Sequence, residues 1–354
     1  MRSVPIPGKF PVVPSRFCLL ALALLCFLRS FQPMAVAGTY INFDVPNAVA
    51  TQAWGVNSGG HVVGNYDDGS TNHGFIRHPS GFILTFDVPG SIGTLAYGIN
   101  SDPDVVGYYF NADYVGHGFI RRPGNLYTHI DVPGAGTLAG QGTYAYYIND
   151  AGQTAGSYFD PESVIHGFIR DAAGNYSSID PHGSVATAVR SLNQSGEAVG
   201  TYWTSDNGAH GFLRDAVGNI TPIDYPGAVQ TYAEGINTNG EITGFYWADV
   251  SGTTLGFVRD AAGDFTSFDP SWPCCAGDIS GITDAGDVVG DNDHRVAHGF
   301  RFKSTGALTL FSDPSAGSDK GEGTFVVGVS GNGNLAGWYI DSAKAVHGFV
   351  WKRN

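Results

Sequence analysis

A short phrase recurs along the chain, and its fullest form is His166–Asp180, His-Gly-Phe-Ile-Arg-Asp-Ala-Ala-Gly-Asn-Tyr-Ser-Ser-Ile-Asp. Two runs rich in β-branched and aromatic residues flank Asp171–Gly174. That is a hairpin signal: a type I turn followed by a residue at positive φ, where Gly sits without steric penalty. If residues 172–174 form the loop, Asp171 pairs with Asn175, and counting back along the ladder puts His166 opposite Asp180. The same spacing of 14 recurs at His73/Asp87, His117/Asp131 and His210/Asp224. Leu255 takes the place of the His opposite Asp269, and Ser312 that of the Asp opposite His298. The register persists where the chemistry is lost, which favours a structural role for the pair.

Two further anchors keep the same period of 43–49 residues. A Gly ends a Val-Val-Gly-like run at 64, 107, 156, 200, 244, 290 and 337, and the Phe of His-Gly-Phe falls at 75, 119, 168, 212, 257, 300 and 349. No copy holds a 3.6-residue periodic segment, so repeats of this length predict a propeller of small sheets rather than a helical solenoid. In the fifth copy the strands read Thr231–Asn237, Glu241–Tyr246, Leu255–Arg259 and Asp264–Asp269, with tight turns at Asn237–Gly240 and Asp260–Gly263. A lone four-stranded sheet with two apolar faces must pack against its neighbours. The last copy stops after His347-Gly-Phe-Val-Trp351 and lacks a fourth strand, while the chain's start offers a spare one, Thr39–Asp44. The expected fold is therefore all-β: a seven-bladed β-propeller of four-stranded antiparallel blades. The N-terminal strand (residues 39–45) would complete the last blade, place Asp44 near His347 and leave no open edge.

Residues 1–37 read as a cleaved secretory signal peptide: Arg2, Lys9 and Arg16, then twelve apolar residues Phe17–Leu28, then Ala35-Val36-Ala37 before Gly38. Twelve residues fall short of the ~20 that span a bilayer. The remainder, 38–354, reads as a single domain that does not span a membrane, bound for the periplasm or the extracellular space. Loss of Arg2, Lys9, Arg16 and Arg29 from 18 basic residues leaves 14 against 32 acidic ones, a net charge of −18. Such a surface repels nucleic acid, and no basic stretch with interleaved aromatics is present. Only Cys274 and Cys275 remain beyond the signal, so no disulfide framework is expected despite export.

Gly98-Ile99-Asn100, Val105-Val106-Gly107 and His117-Gly118-Phe119, with their counterparts in the other copies, resemble the bacterial HAF-type extracellular repeat. That pattern usually reads His-Ala-Phe; here Gly replaces the Ala throughout, and Thr283 and Ser330 replace the Asn. The resemblance covers all seven copies and implies an exported repeat protein. It carries no established activity or catalytic residue.

Six of the eleven His fall in the His-Gly-Phe motif. With strands about 4.8 Å apart, third strands lie roughly 17 Å from a propeller axis. Equivalent His would then be about 15 Å apart, whereas zinc ligands converge to about 2 Å. They are assigned instead to structural pairs: His73–Asp87, His117–Asp131, His166–Asp180, His210–Asp224 and His347–Asp44. The Asn of Gly-Ile-Asn (57, 100, 149, 193 and 237) is a turn residue whose side chain bonds the following hairpin. Both tight hairpins of each copy share one rim. The long second-to-third-strand loops and the links between copies share the other, where function on a rigid scaffold usually sits. Aromatics reach that rim at Tyr66, Tyr109, Tyr158, Tyr202, Trp203, Tyr246, Trp247, Trp338 and Tyr339, and these are the candidate ligand-binding residues. Packing between blades is the competing use of the repeated Tyr.

Asp67-Asp68, Asp102–Asp104 and Asp291–Asp293 offer oxygens of the kind Ca²⁺ takes, yet none has a full ligand spacing, so no cofactor is expected. No nucleophile elbow, phosphate loop or His-Glu-x-x-His is present, and no catalytic residue is named. The expected function is a monomeric binding module whose partner is an extracellular glycan or protein. The alternatives are an exported polysaccharide hydrolase or lyase with carboxylates at the central channel, and a structural envelope component.

Overall fold

A computed structural model of the chain describes residues 38–269, 277–292 and 296–353. The expected signal, residues 1–37, and Cys274 and Cys275 lie outside the described residues. The described chain is all strand, turn and irregular backbone, with no helix. No helix among the described residues is long and apolar enough to cross a membrane.

The strands Ala50–Val56, Val62–Asp67, Asn72–Arg77 and Ile83–Phe86 pair in succession, each antiparallel to the one before. The same four-strand meander returns along the chain to Gly277–Ile282, Val288–Asn292, Val296–Phe302 and Leu308–Phe311. The last group has three strands of its own, Glu322–Val329, Leu335–Ile340 and Val346–Arg353. Its outer edge is taken by Gly38–Phe43, with Ile41 opposite Val350. In the fifth copy the strands are Gln230–Ile236, Ile242–Trp247, Thr254–Arg259 and Phe265–Phe268, within a few residues of the expected ends. The hairpin loops follow from backbone chemistry: Asp171 N–H donates to Asn175 O at 2.9 Å, and Gly174 takes φ of 98°.

One irregularity recurs in every copy. The first strand of each group carries a β-bulge, between Ala53 and Gly55, Ala96 and Gly98, Ala145 and Tyr147, Val189 and Ser191, Ala233 and Gly235, Ile279 and Gly281, and Val326 and Gly328. The extra residue turns its side chain away from the sheet's regular alternation. Next to the bulge the two strands close tightly. A Cβ on Gly64 would stand 2.0 Å from Gln52 O, and one on Gly244 would stand 1.9 Å from Tyr232 O. The Gly that marks the period is therefore fixed by this approach.

Core clusters form between successive groups. Ile76 and Phe86 pack with Ile99, Val105 and Phe119 of the next copy. The last copy meets the first in the same way, Ala336 and Val350 packing with Ala53, Val62 and Phe75. The Phe of His-Gly-Phe is fully buried in every copy. Each first strand runs beside the first strand of the next group, and Glu322–Val329 runs beside Ala50–Val56. This is the architecture of a β-propeller, in which first strands are innermost.

A belt of hydrogen bonds follows the inner strands. Asn57 Nδ2 donates to Asn100 O, Asn100 to Asn149 O, Asn149 to Asn193 O, Asn193 to Asn237 O and Asn237 to Thr283 O, at 2.8–3.3 Å. Each of these Asn is buried. The same side chain accepts from its own hairpin, as Asn237 Oδ1 does from Glu241 N at 2.9 Å. Asn332 Nδ2 donates to Ser58 O at 3.0 Å, joining the last hairpin to the first.

Candidate functional site

The loop face carries a constellation built by cross-strand register. The second strand presents a Tyr opposite the His of the third strand, and their rings stack. Tyr66–His73, Tyr109–His117, Tyr158–His166, Tyr202–His210 and Tyr339–His347 have centroids 4.9–5.2 Å apart and planes 22–27° apart. Each His Nδ1 then reaches a carboxylate beyond the fourth strand: Asp87 at 2.9 Å, Asp131 at 2.7 Å, Asp180 at 3.0 Å, Asp224 at 2.9 Å and Asp44 at 2.9 Å. In the sixth copy His298 Nδ1 meets Ser312 Oγ at 2.6 Å instead.

The other ring nitrogen is occupied as well in several copies. Nε2 lies 3.3 Å from Asp68 in the first copy, 3.2 Å from Asp160 in the third and 3.4 Å from Asp341 in the last. Partial burial pulls these imidazole pKa values down, but the flanking carboxylates outweigh it, and His73, His166 and His347 end above their ordinary 6.5. An imidazolium held between two carboxylates is a pin rather than a free base.

The remaining aromatic candidates divide. Tyr246 has no His partner; its ring stacks on Tyr225 at 3.8 Å and its hydroxyl bonds Ser267. Trp203 and Trp247 are half-buried at the loop ends of their strands. Trp338 faces the inner strands, 5.0 Å from Trp54 and 5.8 Å from Phe325, so it does not join the loop-face group.

The acidic segments spend their oxygens on the protein. Asp68 Oδ1 accepts from Ser70 N, Ser70 Oγ and Thr71 N, Asp104 pairs with Arg122 at 3.4 Å, and Asp291 accepts from Val326 N. Among the described residues no group of three or more His, Cys, Asp or Glu is placed to hold a metal ion. Asp293 lies outside the described residues.

The loop face exposes more large apolar side chains than the hairpin face. A groove of about 310 Å³ runs between His73–Asp87 and the link Val88–Gly93. Of ten exposed large hydrophobic residues among the described residues, seven stand on this face: Val49, Ile92, Tyr114, Leu138, Val185, Val229 and Val250. The other three, Phe82, Leu126 and Val217, belong to the hairpin side, so among the described residues most of the apolar exposure lies where the loops are irregular.

A second constellation lies on the inner strands, at the bulges. Trp54 touches Tyr97 with centroids 5.1 Å apart, and Tyr97 touches Tyr146 at 5.2 Å. Further round, Arg190 Nε lies 3.7 Å from Glu234 Oε2, the side chains being 33% and 16% exposed. Glu234 chiefly, then Tyr147, Tyr146 and Asp278, hold the Arg190 guanidinium more firmly protonated than usual, against its burial. Burial pushes the Glu234 carboxyl upward, Arg190 opposes this and Asp278 adds to it. These residues carry no motif. Aligning the copies on Gly-Ile-Asn would have exposed them, since Trp54, Tyr97, Tyr146, Arg190, Glu234, Ser280 and Val327 share one position.

No family model matches the chain, and no curated protein matches its sequence. Its structure is similar to that of a streptogramin B lyase, with a TM-score of 0.56 and 12% identity over 89% of this chain and 97% of that one. It is similar to the β-propeller domain of the Trilobed protease from Pyrococcus furiosus, with a TM-score of 0.56 and 10% identity over 86% and 96%. It is also similar to the BP39L lectin from Burkholderia pseudomallei, with a TM-score of 0.54 and 12% identity over 86% and 96%. At such identities the likeness establishes the fold alone.

Proposed function

We propose that this chain is an exported binding module: a seven-bladed propeller of HAF-type repeats, closed by residues 39–45 on the last blade, that docks an extracellular glycan or protein through its loop face. The exposed Val, Ile, Leu and Tyr carry the reading, because seven of the ten such side chains among the described residues fall on the irregular loops of that face, where binding on a rigid scaffold usually sits. The groove beside His73 and the half-buried Trp203 and Trp247 fit the same use. Pairing of Gly38–Phe43 with Val346–Arg353 supports closure, and the apolar run before Ala35-Val36-Ala37 supports export. The acidic surface disfavours nucleic acid. Nothing in the reading calls for a metal or a second copy of the chain.

A hydrolase or lyase would draw on Glu234 and Asp278, the carboxylates that influence each other on the inner strands. Burial holds the Glu234 carboxyl above its ordinary range, as a proton donor needs, while the salt bridge to Arg190 at 3.7 Å works against the protonated form. The test is a glycan array probed with the purified protein, with and without Ca²⁺, and repeated with a Trp203→Ala/Trp247→Ala double variant and with His166→Ala. The expected result is a glycan signal that falls in the tryptophan variant and persists in His166→Ala. Silence under every condition would remove the glycan version of the proposal.

A further inference from the structure

The residue before the Gly of Gly-Ile-Asn is where the copies stop agreeing. The bulge brings that position to the inner face of each first strand, and five successive copies place Trp54, Tyr97, Tyr146, Arg190 and Glu234 there. A repeat that only had to fold could use one residue at all of them. Instead one arc is a chain of touching aromatic rings, Trp54–Tyr97–Tyr146, their planes 48° and 86° apart, and the next is an ion pair that keeps contact with solvent.

We propose that this inner arc is a binding site for one neutral sugar ring, its apolar face set against the Trp54–Tyr97–Tyr146 arc and its hydroxyls hydrogen-bonded by Arg190 and Glu234. The apolar face of a pyranose suits aromatic rings, and its hydroxyls both donate and accept. The pair offers the complement within one short span: a carboxylate that only accepts and a guanidinium that only donates. Charge narrows the class. An organic cation, which the aromatic rings alone would suit, meets the guanidinium of Arg190. An anionic sugar meets Glu234 and Asp278. The paired charges nearly cancel, so a neutral ligand enters without leaving either one buried and alone. The site does not rest on the loop-face reading.

The test is titration of the purified protein by calorimetry and tryptophan fluorescence. The probes are neutral tetrasaccharides of glucose, mannose, galactose, xylose and N-acetylglucosamine, beside tetragalacturonate and tetramethylammonium. At least one neutral tetrasaccharide should bind and shift the emission. Trp54→Ala and Glu234→Gln should each weaken it about tenfold or more. Glu234→Gln keeps the side chain's volume, so it remains informative if Trp54→Ala fails to fold. No binding by any neutral sugar, binding unmoved by both variants, or preferred binding of the uronate or the ammonium ion at these residues would each overturn the proposal. A sugar that responds only to Trp203→Ala/Trp247→Ala would leave the loop-face proposal standing and sink this one.

Discussion

His166 stacks on Tyr158 and sits between Asp180 and Asp160, and its neighbours in the first and last copies repeat the arrangement. Because His73, His166 and His347 are raised above 6.5 in the folded state, their contribution is complete below the unfolded value and disappears as pH rises through the folded one. Asp160 and Asp341 are held below their ordinary range, against their slight burial in the first case and chiefly by the Ala345 backbone in the second, so their contribution is present above that range and lost in acid. The melting temperature should therefore peak at mildly acidic pH. A His73→Gln/His166→Gln/His347→Gln variant should lose most of the fall between pH 6 and 8, which thermal melts across that window would show. An unchanged profile would remove the His from the stability account. His166→Ala alone should cost about 0.2–1 kcal/mol, measured by denaturant unfolding. The fourteen-residue offset between His and Asp is readable in the sequence because it is set by one short hairpin. The stacked Tyr is not, since it needs the register of a different strand pair.

At the scale of strands and turns, each copy depends on a Gly and an Asn whose duties differ in how local they are. The second-strand Gly is forced by the bulge opposite it, and Gly244→Ala should cost about 1–3 kcal/mol through the clash with Tyr232 O. Differential scanning calorimetry would register it as a lowered melting temperature; an unchanged one would mean that the strands can part without cost. Asn237 holds its own hairpin and also the carbonyl of Thr283 in the next copy. Asn237→Ala leaves buried groups unpaired and should destabilise by about 1–3 kcal/mol in the same measurement. Four strands and two tight turns per copy are legible in the sequence, because Asn-x-x-Gly and Asp-Ala-Ala-Gly specify turns within a few residues. The bulge is not legible. An extra residue in Ala53-Trp54-Gly55 leaves no break in composition, and only pairing with Gly64 reveals it. The bond from one Asn to the next copy is hidden for a similar reason: it joins residues 43–49 apart whose adjacency is a property of the assembled sheets.

For the molecule as a whole, period and strand content point to a propeller, and the structure has that architecture. An alignment of the copies puts Arg190 and Glu234 at one repeat position but does not show them as a pair, because they are 44 residues apart and meet only when successive first strands lie side by side. Trp338 shows the limit in the other direction. Its neighbour Tyr339 faces the loop-side His, while Trp338 itself faces Trp54, since strand residues alternate faces. Both functional proposals assume that the first strand holds the last sheet and so keeps the two faces distinct. Hydrogen exchange read by mass spectrometry on residues 39–43 tests this most directly. The account predicts protection equal to that of residues 346–352, with both segments exchanging together in denaturant. Exchange of residues 39–43 within seconds, while residues 346–352 stay protected, would contradict it.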